Sequence, residues 1–337
     1  MGVYVHGYHQ FLPSVFKTEQ VSVIKNLSFK SGELEPDIND PFYPNRSDVK
    51  IMRSDVIASI LSINHLLSKF NSTVSREDFS LFTASGVFIE KIENHTKHLV
   101  KVYQEITETT STQEVLQKIY RGSPPLLALQ TLTNSAMSFI AQYTGIKGNN
   151  FTFGTTSASG FHAIKAGFDQ VLFEKGIAVA AGANVAGAHS FLMNMPFRLN
   201  SENWFESASA ASLILSDNSE NALCSISEIK SSTDSGTLSE KRNERKWNII
   251  SEKNNADALL ISGAFTSQEN QDDINWCNKF YPHILSAFDQ TGNTGSCNAF
   301  NSIIQGIKLI QQGKKRVDIA DRDIYGVEHL VTIKAVQ

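Results

Sequence analysis

Phe151 to Gly176, FTFGTTSASGFHAIKAGFDQVLFEKG, restricts this chain more than any other stretch. It opens with the alternation Phe151, Thr152, Phe153, compresses seven small residues from Gly154 to Gly160, and then takes on helical spacing. That order is a strand, a tight corner and a helix. Small side chains let the backbone turn sharply, and the residue at the tip meets a helix N-terminus, where unpaired N–H groups and the dipole favour an alkoxide or oxyanion. Ser157 occupies the tip. The helix after it carries Ala163, Ala166 and Gly167, and the run Ile177 to Gly182 follows, so a buried helix leads into another strand.

Composition narrows the function class. The chain has 337 residues, 41% of them apolar, enough for a large core in one α/β unit or two domains. Net charge is −4 and the one basic cluster is Lys314-Lys315-Arg316, which argues against nucleic acid. No run approaches the about 20 apolar residues of a membrane span, and the start, MGVYVHGYHQFLP, lacks a leader pattern, so a cytoplasmic location is expected. Three widely spaced cysteines, Cys224, Cys277 and Cys297, form neither a disulfide frame nor a metal motif. His6 and His9 sit three apart on the alternating stretch Val3 to Leu12, and on a regular strand that spacing sends them to opposite faces, so no metal site is expected there.

In order, the chain reads as a strand at Val3 to Leu12, a proline-broken loop at Leu34 to Asp48 and a helix from Asp55 to Phe70. A buried strand at Phe79 to Phe88 follows, then amphipathic helices at Ile92 to Ile106 and Gln113 to Tyr120, and a helix at Leu126 to Tyr143. Ser207 to Leu215 reads as one strand. Beyond it come a strand at Leu223 to Ile229, a serine-rich loop, a helix carrying Trp247, Ile249 and Ile250, and a strand at Ala258 to Ile261. The remainder is a helix at Asp272 to Phe280, a strand at His283 to Phe288, a helix at Cys297 to Gln311 and a closing hairpin at Val317 to Val336. A second small-residue corner, Thr291-Gly292-Asn293-Thr294-Gly295-Ser296, answers the first and points to an internal duplication.

These motifs resemble the ketosynthases of the thiolase fold. Asn134 to Ala141 matches the family's Asn-containing helix, Thr144 to Gly148 its glycine-bounded link, and Thr155-Thr156-Ser157-Ala158-Ser159-Gly160 its nucleophile elbow, with Ser157 at the cysteine. The resemblance implies an α/β fold of two pseudo-duplicated βαβαβ-type halves, layered α/β/α/β/α. It makes 1–337 a single thiolase-like unit, with an N-terminal half at 1–220 and a shortened half at 221–337. It also implies what is missing. The family's second histidine falls on Asn293, in Gly292-Asn293-Thr294-Gly295, the nearby lysine on Phe288, and the first histidine on Gly263. The family's G-E-G-A-G run falls on Ser207 to Ala211, without its glycines or its acid.

Decarboxylative condensation needs a thiolate, two groups that promote decarboxylation and hold the enolate, and an oxyanion hole. None of the three catalytic side chains, the cysteine and the two histidines, remains. The chain therefore looks like the chain-length-factor type of homologue, the non-catalytic partner of an active ketosynthase in bacterial type II polyketide synthesis, in the aryl polyene branch. That resemblance implies a heterodimer, an acyl carrier protein met indirectly, and no cofactor. On helix Leu126 to Tyr143 it places Leu132, Met137 and Phe139 beside a shared acyl tunnel, where the bland alternative is that they fill the chain's own core. The other functional reading is an acyltransferase or hydrolase using Ser157, which needs a base from elsewhere, such as His189, His283 or His329, because His162 points away along the helix.

Overall fold

The computed structural model describes residues 2–20, 28–86, 100–107, 109–122, 133–154, 156–184, 204–233, 246–252, 255–323 and 326–336. In the first half the elements are β1 (Val3–Phe11), β2 (Lys17–Gln20), β3 (Ser28–Gly32), α1 (Arg46–Val49), α2 (Ser54–Lys69), β4 (Ser80–Ser85), α3 (Thr112–Gly122) and α4 (Thr133–Thr144). They continue with β5 (Asn150–Phe153), α5 (Ala158–Glu174), β6 (Ile177–Asn184), β7 (Trp204–Ser207) and β8 (Ser209–Ser216). The second half holds β9 (Cys224–Thr233), β10 (Ala258–Ser262), α6 (Ser267–Cys277), β11 (Ile284–Ser286), α7 (Phe288–Thr291), α8 (Asn298–Gln311), β12 (Arg316–Arg322) and β13 (Val327–Lys334).

The duplication is visible in the pairing. Ten strands run β11-β10-β12-β13-β9-β1-β8-β6-β4-β5. Outward from β1, the neighbours β8, β6, β4 and β5 join in the senses antiparallel, antiparallel, parallel and parallel. Outward from β9, the neighbours β13, β12, β10 and β11 repeat that sequence of senses. β1 and β9 pair antiparallel and join the two runs.

Strand alternation then sorts side chains into layers. Phe82, Ala180, Leu213 and Leu215 in the first run, and Leu260, Ile319, Val331 and Ile333 in the second, share one core with Phe161 and Ile164 of α5 and Ile303 and Ile307 of α8. Their neighbours Leu81, Val179 and Ile214 face the opposite way, against α2 and α4. On the far side Leu259, Ile261, Ala320 and Leu330 pack with Cys277 and Tyr281. The result is α/β/α/β/α, with α5 and α8 in the middle.

The two corners meet in that middle layer. A Cβ on Gly160 of α5 would overlap the Ser296 carbonyl oxygen, and one on Gly182 of β6 would come within 2.9 Å of the same atom. Backbone touches backbone here, which only glycine permits.

Several elements depart from the sequence reading. A bulge between Val5 and Gly7 reverses the alternation of β1. His6 and His9 therefore share a face: His6 lies 6.1 Å from Phe70, the residue that ends α2, and His9 stacks 5.0 Å from His65 within it. Each is engaged as a packed side chain. His6 Nε2 lies 2.8 Å from both Ser216 Oγ and the Asn218 carbonyl, and burial, with His65 beside it, pulls His9 down to about 4. The expected strand Ser207 to Leu215 breaks at Ala208, because β7 pairs with β3 in a separate three-stranded sheet and the chain then crosses to β1 and β6.

No helix forms around Trp247. Residues 246–252 run as coil and bends because side chains capture the segment: Trp247 Nε1 donates to Asp273 Oδ1 at 2.9 Å, and Glu328 Oε2 accepts from the Ile249 amide at 2.9 Å. β9 extends past Ile229 to Thr233, since β13 pairs along its whole length. The strand expected up to Phe288 stops at Ser286, and Phe288 opens α7. The loop Leu34 to Asp48 is present except that Arg46 opens α1, capped by Asn45 Oδ1 accepting from the Asp48 amide at 3.1 Å. Of Ile92 to Ile106, the described residues 100–104 are helical; of Leu126 to Tyr143, the part before 133 lies outside the described residues.

Gly160→Ala forces the two corners apart and lowers stability by about 1–3 kcal/mol or more, the range for overpacking. Gly167→Ala meets the movable Leu215 Cδ1 at 3.2 Å and costs less. Urea denaturation of both variants checks the order.

Candidate functional site

The corner after β5 places Ser157 at the N-cap of α5, as the sequence predicts, with φ −55° and ψ −25°. Its side chain does not cap. Thr156 takes that role: its hydroxyl accepts from the Ala158 amide at 3.3 Å and donates to Asp323 Oδ2 at 2.5 Å, and its carbonyl accepts from the Ser159 amide at 3.0 Å and the Ser159 hydroxyl at 2.7 Å. Ser157 is 8% exposed and its Oγ has no hydrogen-bond partner among the described residues.

A serine nucleophile needs a base at hydrogen-bond reach. His329, on β13, lies nearest along α5, stacked 4.2 Å from Phe161 at an interplanar angle of 13°, one turn beyond Ser157. Burial drives its pKa down to about 3, which leaves it a weak proton acceptor. His162 turns toward Phe153 and His329, at ring distances of 5.8 and 5.3 Å, and burial lowers its pKa as well. His283 is exposed at the start of β11, the far end of that strand from the corners; His189 lies outside the described residues. None of the cysteines substitutes. All three are buried, and burial pushes Cys224 and Cys297 up to about 12 and Cys277 upward too.

Gly263 follows β10 with φ +96°, and a Cβ there would fall on the Arg322 carbonyl oxygen. An L side chain is excluded by both conformation and space. Asn293 is 1% exposed and its amide is bonded at both ends: Nδ2 donates to the Ala264 carbonyl at 3.3 Å, while Oδ1 accepts from the Gly295 amide at 2.8 Å and Asn298 Nδ2 at 3.3 Å. Beyond it, Asn298 Oδ1 accepts from the Thr294 amide and hydroxyl at 2.7 and 2.9 Å, and Asn301 Nδ2 donates to Thr294 Oγ1 at 2.9 Å. The second corner is a neutral, internally satisfied amide network. Phe288 joins the apolar cluster of Phe205 and Ala264, edge-on to Phe205 at 5.6 Å.

Ser157, Gly263 and Asn293 thus gather around the junction of the two corners, with Phe288 behind Asn293. The tunnel candidates lie apart from them, on α4. Met137 is buried in the outer core against α2, Phe139 is half-buried at its rim, and Leu132 lies outside the described residues. Sequence reasoning missed a buried pair of acid and imidazole, Asp321 and His329, directly opposite each other on β12 and β13. Their signal was present: in the closing hairpin both stand in phase with Val317, Ile319, Val331 and Ile333, the residues that face the middle layer.

Residues 72–209 match the family described as beta-ketoacyl synthase, N-terminal domain. No curated protein matches the chain. Among solved structures, one described as the ishigamide ketosynthase/chain length factor aligns over 100% of this chain and 99% of its own, at 12% identity and TM-score 0.72. A beta-ketoacyl synthase from Burkholderia phymatum aligns over 100% of both chains at 11% identity and TM-score 0.71. A chain of the complex described as a type II PKS acyl-carrier protein with its ketosynthase, bound to the hexaketide, aligns over 99% of both at 13% identity and TM-score 0.69. At these identities the likeness establishes the fold, which is the thiolase-like fold of ketosynthases.

Ser157→Ala removes a buried hydroxyl with no partner among the described residues, so stability stays unchanged or rises by up to about 1 kcal/mol. Gly263→His lowers it sharply. Thermal denaturation checks both; a clear loss in Ser157→Ala would show that the hydroxyl has a partner.

Proposed function

We propose that this chain is the non-catalytic, chain-length-factor-type subunit of a ketosynthase pair in type II polyketide or fatty-acid-like chain elongation, located in the cytoplasm. In this reading residues 1–337 form one unit, with the first corner in a half spanning 1–220 and a shortened half spanning 221–337. One observation carries it. The positions of the catalytic cysteine and both histidines hold Ser157, Gly263 and Asn293, and the last two are closed off, one by the Arg322 carbonyl and the other by bonds from both ends of its amide to the chain itself. An enzyme of this fold keeps convergent polar groups free for substrate; here Asn293 is bonded within the chain and position 263 carries no side chain, so nothing at those two positions converges on Ser157.

Two further features support the reading. The likeness extends over the full length of a chain whose description names a ketosynthase/chain length factor. β5 ends the ten-stranded sheet, and Phe151 on it is 56% exposed, which offers an edge and an apolar contact for a partner ketosynthase. Stable obligate interfaces of this type bury roughly 2,000 Å² or more. Within the pair, the acyl carrier protein delivers chains to the partner's cysteine and meets this subunit indirectly. Aryl polyene synthesis is the finer placement, and Phe139, at the rim of α4, is the side chain best set to border a shared tunnel. Among the described residues no helix is long and apolar enough to cross a membrane.

Co-expression with a cognate ketosynthase gives a 1:1 heterodimer, read by size exclusion with mass detection. Incubation of the isolated chain with acyl-loaded carrier protein gives no acyl adduct by intact mass. A stable adduct that disappears in Ser157→Ala establishes acyl chemistry at Ser157 instead. In the active pair, Phe139→Ala and Phe139→Trp shift product length in opposite directions, measured by mass spectrometry; unchanged products with a folded heterodimer remove Phe139 from the tunnel.

A further inference from the structure

Four side chains line up across four strands of the second half, facing the middle layer. Ser231 of β9 pairs with His329 of β13, His329 with Asp321 of β12, and Asp321 with Ser262 of β10. Ser262 Oγ donates to Asp321 Oδ1 at 2.7 Å, and Ser231 Oγ lies 2.8 Å from His329 Nδ1. Asp321 and His329 are both fully buried, yet Asp321 Oδ2 and His329 Nε2 have no hydrogen-bond partner among the described residues. Ser231 is exposed, so one end of the row touches solvent.

α5 closes over this row. Phe161 stacks on the His329 ring, His162 meets it edge-on, and Thr156 ties the turn before the helix to Asp323, two residues beyond Asp321. We propose that the row is a proton-operated latch: one proton on Asp321 keeps the first turn of α5 seated on the second half, and its loss loosens that seam. This goes beyond the subunit role and does not depend on it.

The charge surroundings explain why. Burial pushes Asp321 up to about 7, with the neighbouring Asp323 carboxylate adding to the effect. Among the described residues no cation pairs with the row, and Lys165 of α5, whose charge reaches His162, is engaged by Asp169 at 2.6 Å. From β13 comes His329, held neutral; from α5 comes His162, whose protonated form burial disfavours; β9 and β10 give hydroxyls. The α8 side chains packed here, Ile303 and Ile307, are apolar. Arg322 points to the opposite face of β12, where it pairs with Glu328 and lies 4.0 Å from Asp273. An ionised Asp321 therefore gains from opening the seam to water.

The sign follows from linkage. A carboxyl whose folded pKa exceeds its unfolded value stabilises the closed form fully below the unfolded value, and that stabilisation declines as pH rises to the folded pKa, here between about 4 and about 7. Above about 7 the contribution is level.

Hydrogen exchange followed by mass spectrometry on the full chain, corrected for the intrinsic pH dependence of exchange, tests this. Between pH 5 and 7.5, protection in α5, β12 and β13 falls by at least about tenfold while α2 stays constant. Asp321→Asn keeps the same segments protected throughout that range. Should that variant not fold, Ser262→Ala removes a hydrogen bond that favours the ionised form and shifts the transition to higher pH. A flat profile in the unmodified chain, or a transition that neither variant moves, overturns the latch.

Discussion

The carbonyl oxygen of Ser296 sits against two glycine Cα atoms, Gly160 and Gly182, and the rest of the molecule is arranged around that contact. It fixes how closely α5 approaches the second corner, and so how the two five-strand runs stand across the middle layer. Small residues around it, Ala158, Ser159, Ala183 and Ser296 among them, are all buried. Even one methyl group would act on both halves at once, because close-packed interiors do not absorb added volume without strain.

Around that junction, the proposed non-catalytic role rests on polar groups bonded as they are in a core. Catalysis requires buried polar groups held ready and incompletely satisfied, an arrangement that costs stability. The second corner instead completes its bonds: Asn293, Asn298, Asn301 and Thr294 serve one another, and their neutrality avoids the desolvation cost of an ion. At the first corner, the Ser157 hydroxyl has no base within hydrogen-bond reach among the described residues.

Much of this architecture was legible in the residues. The corner from Gly154 to Gly160 announced itself through small side chains, and the spacing of Val56 to Leu67 gave α2 nearly to the residue. What escaped were features decided by contacts distant in sequence. The bulge in β1 is set by its partner β8, not by its own pattern, and it turned His6 and His9 onto one face. Trp247 lost its helix to carboxylates 26 and more residues away, Asp273 and Glu328. At the site, the resemblance to ketosynthases singled out Ser157, Gly263 and Asn293, but the closure of position 263 depends on the backbone of Arg322, and no property of Gly263 alone reports that.

On the proposed non-catalytic reading, that closure has a historical corollary. Because the Arg322 carbonyl fills the volume that a side chain at 263 would need, the end of β12 would have to move before an imidazole could be accommodated there. Restoring residues one at a time passes through variants that fold worse and catalyse nothing, since residues acting as a catalytic unit fail together when any is missing. Selection sees only the defect at each such step. The contact works as a ratchet, permitting drift in the surrounding residues while barring a gradual return to the chemistry associated with the fold.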